Sequence, residues 1–146
     1  MLLAALTRHT TTMFQSRLAR VYNLLDFEPA ARRVLPRAMF SYIQNGAEDE
    51  VTLRGNRSAF DRYAFVPQML NDVSGRHQKI ELFGVSYDSP FGISPVGLGA
   101  LYAYQGDLAL ARAAKALNVP YVLSGASLTR LEAVAQVNPD AWFQAY

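Results

Sequence analysis

Residues 121–146 read YVLSGASLTRLEAVAQVNPDAWFQAY, and this stretch passes from strand to loop to helix to strand. Tyr121 to Ser124 is a short apolar run that ends at Gly125, and Trp142 to Tyr146 is a second. Between them a helix is expected from about Arg130, with Thr129 and Glu132 at the spacing of a capping box. The same rhythm extends upstream, with a strand at Phe91 to Ser94 and a helix at Asp107 to Leu117. In that helix Leu110, Ala113, Ala114 and Leu117 make one apolar face, and Asn118 followed by Pro120 supplies a stop. Alternation of this kind predicts an α/β fold of parallel strands joined by right-handed helical crossovers.

The strand spacing matches the repeat of a (β/α)8 barrel, in which about 250 residues hold eight units. This chain of 146 residues has room for two units and one further strand after its N-terminal helices. The last strand would leave an apolar parallel edge unpaired, so the reading expects a barrel truncated at its third strand. A complete three-stranded domain is the alternative, and it must cover both faces of that strand with helices already assigned.

Working toward the N-terminus, Ile80-Glu81-Leu82 and Val85-Ser86-Tyr87 flank Gly84 as a short hairpin. The segment before it is mainly helical. Asp26 is placed to cap a helix at Phe27-Glu28-Pro29 that stops before Pro36, and a second helix is expected from Pro36 to Asn45 with Gly46 as a left-handed cap. Ala47-Glu48-Asp49-Glu50 puts carboxylates at the positive end of a third, reaching about Phe60. Three consecutive carboxylates on a helix point in different directions, so this run reads as dipole compensation and no metal site is expected.

Residues 1–25 carry Arg8, Arg17 and Arg20 with no acidic residue, so they read as an N-terminal arm or a mitochondrial targeting segment ahead of a domain at 26–146. Met13 as the true initiator is the plainer account of the same segment.

Composition narrows the chemistry. Fourteen Lys and Arg against twelve Asp and Glu leave a net charge of +2, too small an excess to suggest nucleic acid. No cysteine is present, which excludes disulfides, thiolate nucleophiles and iron-sulfur clusters, and the histidines are His9 and His77 alone. Both read as surface residues without a partner. Gly97-Leu98-Gly99 is followed by Tyr102 where a dinucleotide fingerprint needs its third glycine, and no phosphate-binding P-loop occurs.

In a β/α barrel the active site lies where strands yield to loops at their C-terminal ends. Those places hold Ser94-Pro95-Val96-Gly97, Ser124-Gly125-Ala126, and Gln144 with Tyr146. These are backbone-exposing and neutral hydrogen-bonding groups, better suited to holding a planar heteroaromatic ring than to hydrolysis. Tyr42, beside Met39 and Ile43, reads unaided as a half-buried helical tyrosine.

Several strings in this order and spacing resemble the FMN-dependent α-hydroxy-acid dehydrogenases and oxidases: Leu35-Pro36 through Tyr42, Asn45 through Glu50, Asn56-Arg57 with Ala59-Phe60, Ser94 through Leu98, Gly106 through Ala114, Leu123-Ser124, and Trp142 through Tyr146. The resemblance implies a barrel with added N-terminal helices and FMN as cofactor, with Pro95, Val96 and Gly97 against the flavin and Ser124 and Gln144 on its pyrimidine edge. It implies that Tyr146 meets the hydroxyl region of a small L-2-hydroxy acid, lactate- or mandelate-like, and that Tyr42 helps bind its carboxylate. The product would be a 2-oxo acid, and the electrons would pass to a quinone, a cytochrome or oxygen.

In this family the base histidine, the carboxylate-gripping arginine, the flavin-binding lysine and the phosphate loops lie beyond the third strand, so this chain alone is expected to be inactive. Ala145 and Ala126 depart from the residues common in relatives, and Gly97 leans toward the dehydrogenase branch. The resemblance also implies a homo-oligomer for the full-length protein, cytoplasmic or peripheral at the inner membrane, with a mitochondrial location as the alternative. A noncatalytic partial-barrel module, or another FMN barrel such as an isomerase, are the competing readings.

Overall fold

The computed structural model describes residues 21–146, so the expected targeting segment and His9 lie almost wholly outside the described residues. The chain divides into two units, Met1–Asp61 and Arg62–Tyr146.

In the first unit a 3-10 turn at Leu24–Asp26 leads into α1 (Phe27–Arg32), α2 (Arg37–Gln44) and α3 (Val51–Ser58). Asp26 does not cap α1. Its carboxylate accepts from the backbone N–H groups of Tyr22 and Asn23 at 2.8 and 3.1 Å, while Asn23 caps the 3-10 turn, so the box closes one turn earlier than expected. The Gln44 side-chain amide donates to Glu28 at 2.7 Å and ties α2 to α1. Phe40 is the buried residue of α2 and lies 5.9 Å beneath the Arg32 guanidinium.

Gly46 is not the left-handed cap. Asn45 leaves α2 in extended conformation, and the positive φ values fall on Glu48 and Glu50. The acidic run therefore forms the turn before α3, where the Glu50 carboxylate accepts the Gly46 N–H at 3.2 Å, and α3 begins at Val51.

The second unit contains the hairpin and the β/α repeats. Strands β1 (Ile80–Leu82) and β2 (Val85–Tyr87) pair antiparallel around Phe83 and Gly84, both at positive φ, which matches the expected hairpin. A short α4 (Gly99–Tyr102), α5 (Gly106–Leu117), β3 (Val122–Leu123), α6 (Leu131–Val137) and β4 (Trp142–Phe143) follow. β3 and β4 are parallel, and Ile93 bridges in parallel to Tyr121 on the other side of β3. The first expected strand is thus reduced to that bridge, and the last stops at Phe143. The strand order is nevertheless sequential, as in the expected barrel, with Val122 N–H donating to Ile93 at 3.0 Å and Trp142 N–H to Tyr121 at 2.8 Å.

Ala111, Ala114, Tyr121, Leu123 and Val134 form the core of this unit, flanked by Ile93, Leu108 and Val137. Burying Leu123 and Val134 contributes about 1.5–3 kcal/mol each. The buried face of α5 is Asp107, Ala111 and Ala114, while Ala113 and Leu117 are exposed. This phase differs from the expected one because small alanines, not leucines, allow the close approach of β3 and α6. Asn118 ends α5 in the left-handed conformation, as expected, and its side chain donates to Ser86 at 3.3 Å. Phe83 meets Trp142 edge to face at 5.3 Å. The hairpin therefore covers the N-terminal ends of the parallel strands and leaves their C-terminal ends free.

The Tyr121 hydroxyl donates to the backbone carbonyl of Asp107 at 3.3 Å. Loss of water around the phenol, and secondarily the field of Asp107, raises its pKa from 10.0 to about 12. The folded chain thus holds this proton more tightly than the unfolded one. Its stabilising contribution is full below pH 10 and is lost as pH rises toward about 12. Urea unfolding is expected to show the stability difference between the protein and Tyr121→Phe shrinking across that window. A difference independent of pH there would contradict the buried phenol.

Candidate functional site

Three strand ends of the second unit converge. Ser124 follows β3 and is 3% exposed, and its hydroxyl donates to the Gln144 side-chain oxygen, after β4, at 3.3 Å. The same hydroxyl accepts the Ala126 N–H at 3.1 Å, and the Ala126 carbonyl accepts the Leu98 N–H at 3.1 Å. The loop after Ile93 is thereby tied to the loop after β3, with the Gly97 Cα facing Ala126 and the Ser124 hydroxyl. Tyr146 stands with its ring beside Gly125, and the residue is 92% exposed. The structure thus brings Gly97, Ser124, Gln144 and Tyr146 into one cluster, with Pro95 and Val96 on the same loop as Gly97.

None of Pro95, Val96, Gly97, Ser124 and Gln144 carries a charge. Among the described residues the Gln144 amide nitrogen has no partner, so a donor stands beside a buried hydroxyl at the open end of the strands. Tyr42 belongs to the first unit, on α2, and is 70% exposed. His77 is exposed in the connector before β1. Two open clefts, of about 570 and 530 Å³, lie within the first unit and contain none of the expected site residues. Among the described residues no group of three or more His, Asp or Glu is placed to hold a metal ion, and no helix is long and apolar enough to cross a membrane.

Sequence reasoning missed Asp107, which is 1% exposed. Its Oδ2 accepts from the Ser127 hydroxyl at 2.9 Å and from the Thr129 hydroxyl at 2.8 Å. Thr129 is therefore no capping residue for Glu132: α6 has no side-chain cap, and the hydroxyl that fits the capping pattern is taken by a partner 22 residues away. The signal that would have found Asp107 is an acidic residue on the inward phase of a helix, opposite a Ser-x-Thr loop.

The model of the family described as FMN-dependent dehydrogenase matches residues 31–146. The chain is 47% identical over 123 residues to L-lactate oxidase of Lysinibacillus sphaericus, which covers 83% of this chain and 32% of the relative. It is 39% identical over 127 residues to (S)-mandelate dehydrogenase of Pseudomonas putida, covering 86% and 32%. The chain therefore spans about a third of the length of these curated relatives. A crystal structure of mandelate oxidase superposes with a TM-score of 0.81 at 37% identity, over 86% of this chain and 37% of that one. A soluble mutant of the membrane-associated (S)-mandelate dehydrogenase from Pseudomonas putida superposes with a TM-score of 0.80 at 38% identity, over 87% and 37%. With the parallel, sequential strands and the family match over residues 31–146 in agreement, the chain belongs to the FMN-dependent dehydrogenases.

Proposed function

We propose that these residues are the flavin-edge part of an oxidoreductase that converts L-2-hydroxy acids, lactate- or mandelate-like, to 2-oxo acids. The observation that carries the reading is the hydrogen-bonded pair of Ser124 and Gln144 at adjacent strand ends, 3.3 Å apart and bordered by Gly97. A hydroxyl and an amide side by side suit the alternating donors and acceptors along the pyrimidine edge of a flavin, and FMN fits this donor set. Pro95, Val96 and Gly97 would present backbone to the ring. Tyr146 would orient the substrate hydroxyl, and Tyr42 would bind its carboxylate. Bound FMN would supply the acceptor for the hydrogen and electrons removed from the α-carbon.

The chain's own residues bind and orient. By the resemblance the family's base histidine and its carboxylate-gripping arginine lie beyond the third strand, and exposed His77 does not take the role of the base. By the same likeness the whole protein is a homo-oligomer, in the cytoplasm or at the inner membrane surface, passing electrons to a quinone, a cytochrome or oxygen.

The direct test replaces the matching segment of the Lysinibacillus sphaericus L-lactate oxidase with residues 31–146 of this chain. Anaerobic addition of L-lactate or L-mandelate is expected to bleach the flavin absorbance, and the D-enantiomers are not. A folded, FMN-loaded protein that neither L-acid bleaches contradicts the reading. The 146-residue chain by itself is expected to show no hydroxy-acid-dependent dye reduction, and measurable turnover would overturn the assignment of the missing base.

Two glycines of the cluster separate by their clearance. A Cβ on Gly125 would lie 2.6 Å from the Gln144 carbonyl oxygen and 2.8 Å from the Tyr146 ring, whereas one on Gly97 would meet Ala126 at 3.5 Å. Gly125→Ala is expected to cost about 1–3 kcal/mol in urea unfolding and to weaken FMN binding. Gly97→Ala is expected to stay within about 0.5 kcal/mol of the parent. Equal costs at the two positions would contradict this geometry.

A further inference from the structure

We propose that Asp107 is a positioning residue for the flavin edge, acting through the two loops that carry it; the proposal rests on the FMN reading above. Asp107 lies in the first turn of α5 and is 1% exposed, so no water competes for its oxygens. Oδ2 accepts the hydroxyls of Ser127 and Thr129, and the Ser127 oxygen in turn accepts the Thr129 N–H at 3.0 Å. Ser127 N–H donates back to the Ser124 carbonyl at 3.0 Å. The loop after β3 is thus closed on itself and pinned to α5 from one buried oxygen.

The second oxygen faces the other loop. A Cβ on Gly99 would lie 2.9 Å from Oδ1, so the turn that follows Pro95, Val96 and Gly97 packs directly against the carboxyl group. Leu98, between Gly97 and Gly99, is bonded to Ala126 at 3.1 Å. Both loops therefore take their place from the same side chain. Asp107 itself has no hydrogen bond to Ser124, Gln144 or Tyr146, which separates it from the groups that would touch cofactor or substrate.

The test uses the complete-barrel protein carrying residues 31–146, compared with Asp107→Ala, Ser127→Ala/Thr129→Val and Asp107→Asn. The first two remove the acceptor or both donors, while Asp107→Asn keeps an oxygen acceptor toward the hydroxyls. Asp107→Ala and the double variant are expected to raise the Kd for FMN roughly tenfold, the loss of hydrogen bonds worth one decade. They are also expected to change the visible circular dichroism of the bound flavin. The KM for L-lactate at saturating FMN should stay within about twofold, because the loops hold the cofactor rather than the acid. Asp107→Asn should recover most of the affinity.

A thermal melt of each apoprotein accompanies the titration. If the folded variants match the parent in FMN affinity and flavin dichroism while only Tm falls, the role is structural and the proposal is overturned. If Asp107→Ala does not fold, Ser127→Ala alone, which leaves the Thr129 hydroxyl on the buried carboxyl group, decides the question by the same two readouts. If the parent itself is not bleached by an L-2-hydroxy acid, the functional reading falls, a result distinct from equal flavin binding by parent and variants.

Discussion

A buried carboxyl group cannot be left without partners: an unsatisfied polar group costs about 1–3 kcal/mol, and more if charged. At Asp107 that constraint is met by two hydroxyls from one loop, Ser127 and Thr129, at 2.9 and 2.8 Å. The start of α5, the loop after β3 and the turn at Gly99 then have a single mutual arrangement. Ser124 occupies its place because the residues after it are held, and Leu98 occupies its place because Ala126 is held. Ala111 and Ala114 continue the same helix face into the core, so the polar anchor and the apolar packing set one phase for α5.

The two ends of the parallel strands are treated differently. At the N-terminal end the β1–β2 hairpin is joined to α5 through Asn118 and stacks Phe83 against Trp142. At the C-terminal end the chain offers neutral donors and acceptors, with Tyr146 exposed beside them. A closed end and an open, uncharged one follow from which side of the strands the hairpin occupies, and ligands of barrel folds meet the open end.

The alternation of strand and helix was legible because Leu123, Val134 and Trp142 sit in runs of different period, and the hairpin because Gly84 separates two alternating triplets. The cluster of Gly97, Ser124, Gln144 and Tyr146 was legible from strand ends alone. What was not legible depended on tertiary competition. Thr129 and Glu132 satisfy a local capping pattern, yet the hydroxyl goes to Asp107, a partner distant in sequence. The inward face of α5 was misread because alanine at positions 111, 113 and 114 gives no contrast, and the acidic residue that marks the buried side argues for exposure by composition. Asp26 and Gly46 fit cap patterns that their neighbours, Asn23 and the extended Asn45, pre-empted.

On this proposal the three strand ends form the seat of a flavin edge, two of their loops held by Asp107 and the third joined by the Ser124–Gln144 hydrogen bond. A crystal structure of the complete-barrel protein carrying residues 31–146, with FMN bound, measures this directly. The account predicts the ring against Pro95, Val96 and Gly97 with the Ser124 hydroxyl and the Gln144 amide in hydrogen-bond contact with its pyrimidine edge. A flavin bound away from these residues, or an edge that neither side chain reaches, would contradict it.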